Sequence, residues 1–142
     1  MNRVQVQRVR ESFEWFRPCG PAMVARVLRQ LDDRSPGVRA LFPEDCSKHN
    51  RRFFETLSQV VRRADTFHKL EAPLMELGLA AYRAGANPAH YRIVRTELLR
   101  AMAELAGEDW SAELEADWTL LLEAVSGAML RGALGGERLA AA

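Results

Sequence analysis

Cysteine is scarce in this chain. The 142 residues hold two, Cys19 and Cys46, with no metal-ligand spacing between them. That excludes a disulfide scaffold or a cysteine-built zinc site. The first expectation is two free thiols; a redox pair would require the two to be neighbours in space. An excess of charge of one sign is also missing. Lys and Arg number 20, Asp and Glu 19, for a net charge of +1. A nucleic-acid binder or a protein of anionic membrane surfaces usually carries a clear basic surplus, so neither partner is expected. No apolar run is long enough to span a bilayer. The opening stretch, MNRVQVQRVRESFEWF, mixes charges into its apolar positions and does not read as a secretory signal, which makes the cytoplasm the expected compartment. There is no Gly-rich phosphate loop, no paired-carboxylate signature, and no cysteine set beside a histidine. Catalysis is therefore not the first expectation.

Sustained alternation of apolar and polar residues is absent too, and with it any sign of strands. What remains is helical periodicity. Apolar residues make up 48% of the chain, enough for the core of one domain of ordinary size. Val6, Val9, Phe13 and Phe16 form one stripe at helical spacing. Met23, Val24, Val27, Leu28 and Leu31 form a second, after Gly20-Pro21. Ser35-Pro36 opens a short helix that stops at Phe42-Pro43. Asp45 can cap a long one whose inward face is Cys46, His49, Phe53, Leu57, Val60 and Ala64. Pro73 opens a helix with Leu74, Leu77 and Ala81 on one face. Asn87-Pro88 opens another, with Tyr91, Val94, Leu98, Met102 and Leu105 inward, closed by Gly107. Ser111 can cap the last, with Leu114, Trp118, Leu121, Val125 and Met129 inward. Repeatedly a small or capping residue precedes a proline at a helix start, where the missing N–H costs no hydrogen bond. Gly132, Gly135 and Gly136 are expected to break the last helix, leaving a domain over residues 1–134 and a flexible tail over 135–142. The expected fold is all-α, with about seven helices.

The order of these helices, with a short third one ending in Leu-Phe-Pro, resembles a globin. SPGVRALFPED is similar to a segment of bacterial haemoglobins and of flavohaemoglobin globin domains. Further on, Leu77-Gly78, then GANPAHY, then Leu98-Leu99 match the family's stretch around the proximal helix and the start of the next. EDWSAELEADW, with Trp110 and Trp118, matches the start of the last helix. The resemblance covers roughly residues 4 to 131. It implies a globin-like fold. It also implies that Phe42 holds the place of the phenylalanine that wedges against haem, and that His49, seven residues on, holds the distal position.

The same resemblance places an alanine where the family has its proximal histidine. Counting forward from Leu77-Gly78, back from Gly85, or back from His90-Tyr91 reaches Ala81 each time. Tyr82 is next door, but one helical step turns about 100° away from that face. His68 lies upstream of Pro73, and His90 has its own family counterpart. Leu28 stands where a tyrosine often binds oxygen, with Val27 before it. The place of a supporting glutamate on the last helix falls near Ala133. Tyr91, that glutamate's usual partner, is present; its plain expectation is a buried ring with the hydroxyl on a backbone carbonyl.

The candidate cofactor-binding positions are thus Phe42, His49, Phe53, Leu77, Ala81 and Tyr91, with His49 as the metal ligand only if haem binds. A neutral imidazole is a competent iron ligand. No cofactor is favoured; haem with atypical ligation stays open, and with it a haem-dependent redox activity. Without haem the pocket must shrink by helix movement, be plugged by residues such as Met75, Leu79 or Phe53, or hold an apolar small molecule. The sequence therefore points to a haem-free or non-conventional globin acting as a binding, sensing or interaction module, with a protein partner or homodimer as further possibilities. Arg51, Arg52, Arg62 and Arg63 read as a solvated helix face, although Arg51 or Arg52 could reach a carboxylate. Arg92, Arg95 and Arg100 read as solvated as well.

Overall fold

Proline and glycine set most of the helix boundaries. In the computed structural model, which describes the backbone of residues 1–141 and the side chains of 1–136, the chain forms seven α-helices. These are α1 (Arg3–Phe16), α2 (Pro21–Arg34), α3 (Pro36–Arg39), α4 (Ser47–Arg62), α5 (Glu71–Arg83), α6 (Pro88–Ala106) and α7 (Ala112–Ala141). Prolines open α2, α3 and α6. Asn87 caps α6, accepting from the His90 N–H while the His90 ring accepts from the Asn87 N–H. Gly107 ends α6 at a φ of 60°, where a side chain would be strained. Ser111 Oγ accepts from the Leu114 N–H, the expected cap of α7. No strand occurs among the described residues, and none of their helices is long and apolar enough to cross a membrane.

Three expectations about boundaries change. Asp45 does not cap α4. Cys46 occupies that place without a side-chain bond to the helix, and Asp45, one step before it, accepts through Oδ1 from the N–H of Ser47, the first residue of α4. A 3-10 stretch, Ala64–Leu70, connects α4 to α5, and α5 begins at Glu71, so Pro73 lies inside its first turn, where its missing N–H still costs nothing. Most consequentially, α7 does not break at Gly132, Gly135 and Gly136; it runs on to Ala141. Gly132 and Gly136 serve packing instead, while Gly135 faces open space. A Cβ built on Gly132 would lie 1.9 Å from Met75 O, and one on Gly78 would lie 1.8 Å from Met129 O. Helices α5 and α7 therefore meet backbone to backbone at two points. Gly136 in turn sits against the Leu79 and Tyr82 side chains.

The inward stripes of α1 and α2 are buried as expected, every residue of them. Trp118 is fully buried and donates from Nε1 to Ser12 Oγ at 2.9 Å; the Ser12 hydroxyl donates to Val9 O. Phe13 stacks on Phe54, with ring centroids 5.4 Å apart. Asp117 is buried in an ion pair with Arg8, joining α7 to α1. Leu105, expected inward, is instead partly exposed near the end of α6. The two cysteines are free and half-buried.

Candidate functional site

The core is not closed throughout. Between α4, α5, the start of α6 and the middle of α7 lies a cavity of about 490 Å³, within the range of small-molecule sites. Helix periodicity builds its walls. His49, Arg52, Phe53 and Thr56 follow i, i+3, i+4, i+7 spacing and put one face of α4 on it. From α6, His90, Tyr91, Val94, Arg95 and Leu98 do the same. Leu77 and Ala81 come from α5, and Leu122, Val125 and Met129 from α7. The structure brings all six sequence-derived positions, Phe42, His49, Phe53, Leu77, Ala81 and Tyr91, to this one cavity. Leu77 does so from the rim, at 44% exposure, so its place on an inward stripe needs correcting: α5 leans on α7 through Gly78, and that tilts Leu77 outward.

Other residues fall elsewhere. Leu28 and Val27 are buried in the closed core and take no part in the wall, so the exchange at Leu28 opens no space here. Met75 and Leu79 face α7 and cannot plug the cavity. Tyr82 packs toward Gly136, off the cavity face, as one helical step predicts. His68 is exposed on the 3-10 stretch.

The polar inventory is small and lopsided. His49 lies edge-on to Phe42, centroids 5.0 Å apart, and 6.0 Å from Phe53. Its Nδ1 is 3.3 Å from Asn50 Oδ1. With that carbonyl oxygen accepting, the proton sits on Nδ1, and Nε2 keeps a lone pair. His90 is the reverse. Its Nδ1 accepts from the Asn87 N–H at 3.1 Å, so in the neutral ring Nε2 carries the proton and can only donate. Tyr91 was expected to bond a backbone carbonyl; its hydroxyl is buried and has no partner. Burial also raises the Tyr91 pKa, which keeps the phenol protonated. Arg95 was expected to be solvated but is half-buried in the wall, because it stands four residues after Tyr91 on one helix face. No hydrogen bond or ion pair engages it among the described residues. Arg95 and the donor character of His90 were the features that sequence reasoning missed; the i, i+4 step from Tyr91 was the available signal for the first.

Haem, the occupant that the resemblance to globins implies, meets a suitable donor on one side only. In the tautomer that donates from Nδ1 to Asn50, His49 Nε2 has the lone pair that iron needs. Ala81 gives the α5 wall a methyl group and no donor atom, and His90 has committed its one acceptor nitrogen to the helix cap. These residues do not fit the conventional attachment through a proximal imidazole. Among the described residues no group of three or more His, Cys, Asp or Glu side chains gathers as a separate metal site.

Comparison with known proteins places the fold. Leghemoglobin-1 of Lupinus luteus is 27% identical over an alignment covering 82% of this chain and 85% of that protein. A solved structure of an engineered carbene transferase, a putative nitric oxide dioxygenase from Rhodothermus marinus, superposes with a TM-score of 0.84. It covers 99% of this chain and 96% of its own, at 24% identity, a likeness of fold. The family model described as Globin matches residues 33–129, more than half the chain and all of the cavity-lining helices from α4 to the middle of α7; this protein belongs to the globin family.

Proposed function

We propose that this globin is a non-conventional member that holds a small, largely apolar molecule in its cavity without the usual iron attachment, and acts as a binding or sensing module. The observation that carries this reading is the α5 wall: Ala81 faces an open cavity with a methyl group, and no lone pair is available from α5 or from His90. An apolar hole of this size costs stability when empty, so a ligand that fills it stabilises the fold in proportion to the surface it covers. Oxygen carriage by a haem bound through a proximal histidine is not part of this proposal.

A second reading rests on His49, a wall residue of the same cavity whose Nε2 carries a lone pair when Nδ1 donates to Asn50. In that case the protein is a haem globin ligated from the distal side, with gas binding or a haem-dependent redox activity. One titration separates the two. Haemin is added to the purified protein and to His49→Ala, and the Soret band is followed. No saturable band supports the haem-free reading. A stoichiometric band that disappears in His49→Ala overturns it in favour of the second.

A further inference from the structure

The polar groups at the α6 end of the cavity are weighted toward donors: the Arg95 guanidinium and the His90 ring, whose Nδ1 already accepts from Asn87, can only donate, and the Tyr91 hydroxyl has a proton to offer. His90 Nε2–H, the Tyr91 hydroxyl and the Arg95 guanidinium come from the first two turns of one helix. The Tyr91 hydroxyl is buried with no partner, which is costly unless something supplies an acceptor. Arg95 is half-buried with no carboxylate in reach among the described residues. The other carboxylate-bearing positions of α6 are occupied elsewhere: Glu97 takes Arg34, Arg100 and Gln30, and Glu104 takes Arg26. A 19-residue helix also presents its positive end here. The rest of the lining is overwhelmingly aliphatic and aromatic, from Val38 and Phe42 to Val125 and Met129. Arg52, on α4, adds a second cation to the rim.

We infer that the cavity takes a chain-like apolar carboxylate, its head group received by His90, Tyr91 and Arg95 at the α6 end and its tail lying against α4, α5 and α7. This rests on the reading that the cavity is not a conventional haem site. A carboxylate matches the planar fork of Arg95 and can still accept from Tyr91 and His90. A neutral alcohol leaves the guanidinium without a counter-charge, and an ammonium head meets the positive Arg95 with only the Tyr91 oxygen able to accept from it.

The test is calorimetric titration of the full chain with dodecanoate, dodecanol and dodecylammonium, beside the haemin titration above. Dodecanoate is expected to bind at one site per chain, about tenfold or more tighter than dodecanol, with dodecylammonium weaker still. Arg95→Gln should weaken dodecanoate far more than dodecanol and so erase most of the preference for the acid, and Arg95→Lys should recover part of it. Tyr91→Phe should weaken dodecanoate severalfold without loss of the fold by circular dichroism, because the hydroxyl it removes has no partner in the unliganded chain. Ala81→Trp, which occupies the cavity, should abolish binding of both. Equal affinity for acid and alcohol, or an acid preference unchanged in Arg95→Gln, overturns the head-group assignment while leaving an apolar-ligand globin. No binding of any of the three overturns the inference outright. A His49-dependent Soret band instead defeats the underlying reading, and so the two failures are told apart.

Discussion

The two sides of this molecule solve the same packing problem differently. Where α1, α2 and the first half of α7 meet, Val9, Phe13, Phe16, Leu31 and Trp118 are at 0 or 1% exposure, and the single buried indole N–H has its acceptor. Where α4, α5 and α6 meet, the aromatic rings are only half-buried, a phenol has no partner, and about 490 Å³ stay open. Both regions are made of apolar stripes at helical spacing. The difference is in what stands opposite each stripe. In the closed half, large rings face one another and interdigitate; in the open half, Ala80, Ala81, Ala84 and Ala86 supply methyl groups where bulk would be needed to close the gap. Tight packing and open space have been separated within one fold.

Substitutions can break that contrast. The largest effect is expected in the closed half. Trp118→Ala should cost about 3–5 kcal/mol, read as a lowered urea midpoint, because it leaves a hole and strips Ser12 of a donor. Gly78→Ala comes next, at about 1–3 kcal/mol, since its new Cβ must push Met129 and the α7 backbone away. Phe53→Ala, an aromatic truncation in the open half, should cost clearly less than the ~3–5 kcal/mol typical of a buried ring, because its ring already borders empty space. Should Phe53→Ala and Trp118→Ala prove equally damaging, the distinction between the two halves would collapse. Ala81→Leu should be the mildest of the packing changes, within about 1 kcal/mol and of either sign, as the added methylenes enter the opening.

A final prediction concerns pH and the α2–α6 contact. Glu97 is buried and bonded first by Arg34 and then by Gln30, and these hold its carboxyl below the ordinary value of 4.5 against the opposing effect of burial. Its folded pKa is depressed, so its contribution is fully present above the unfolded value and is lost as pH falls through the folded one. In Glu97→Gln the decline of the thermal midpoint below pH 4.5 should be shallower than in the parent. An unchanged slope would assign acid sensitivity to other carboxylates.

Most of the fold was legible in the chain because each helix carried both a stripe and a punctuation mark. Val6 to Phe16 and Met23 to Leu31 could face only one way, and Asn87-Pro88 could only start a helix. The pocket positions were legible for a similar reason: residues three, four and seven apart on α4 must share a face. The misreadings share a cause. Gly132, Gly135 and Gly136 look like helix breakers because propensity is a local property, whereas the role of Gly132 and Gly136 depends on Met75 and Leu79, more than fifty residues away in sequence. Arg95 looked solvated because charge is the stronger signal in composition, yet its distance from Tyr91 decided its side. The vacant hydroxyl of Tyr91 could not be read at all, since an unmade hydrogen bond leaves no pattern in a sequence.

The paired contacts of Gly78 with Met129 and Gly132 with Met75 have a mechanical corollary. Two points of backbone contact hold α5 and α7 at a close spacing and oppose sliding of one along the other. The facing wall has no such brace: α4 starts without a side-chain cap, after a turn that runs through Pro43 and Asp45. An occupant that pressed on both walls would therefore meet the braced α5–α7 pair on one side and be accommodated at the start of α4 on the other. Amide exchange across residues 44–50 should slow or quicken with occupancy while α5 stays constant, making that short segment the dial on which the cavity's contents are displayed.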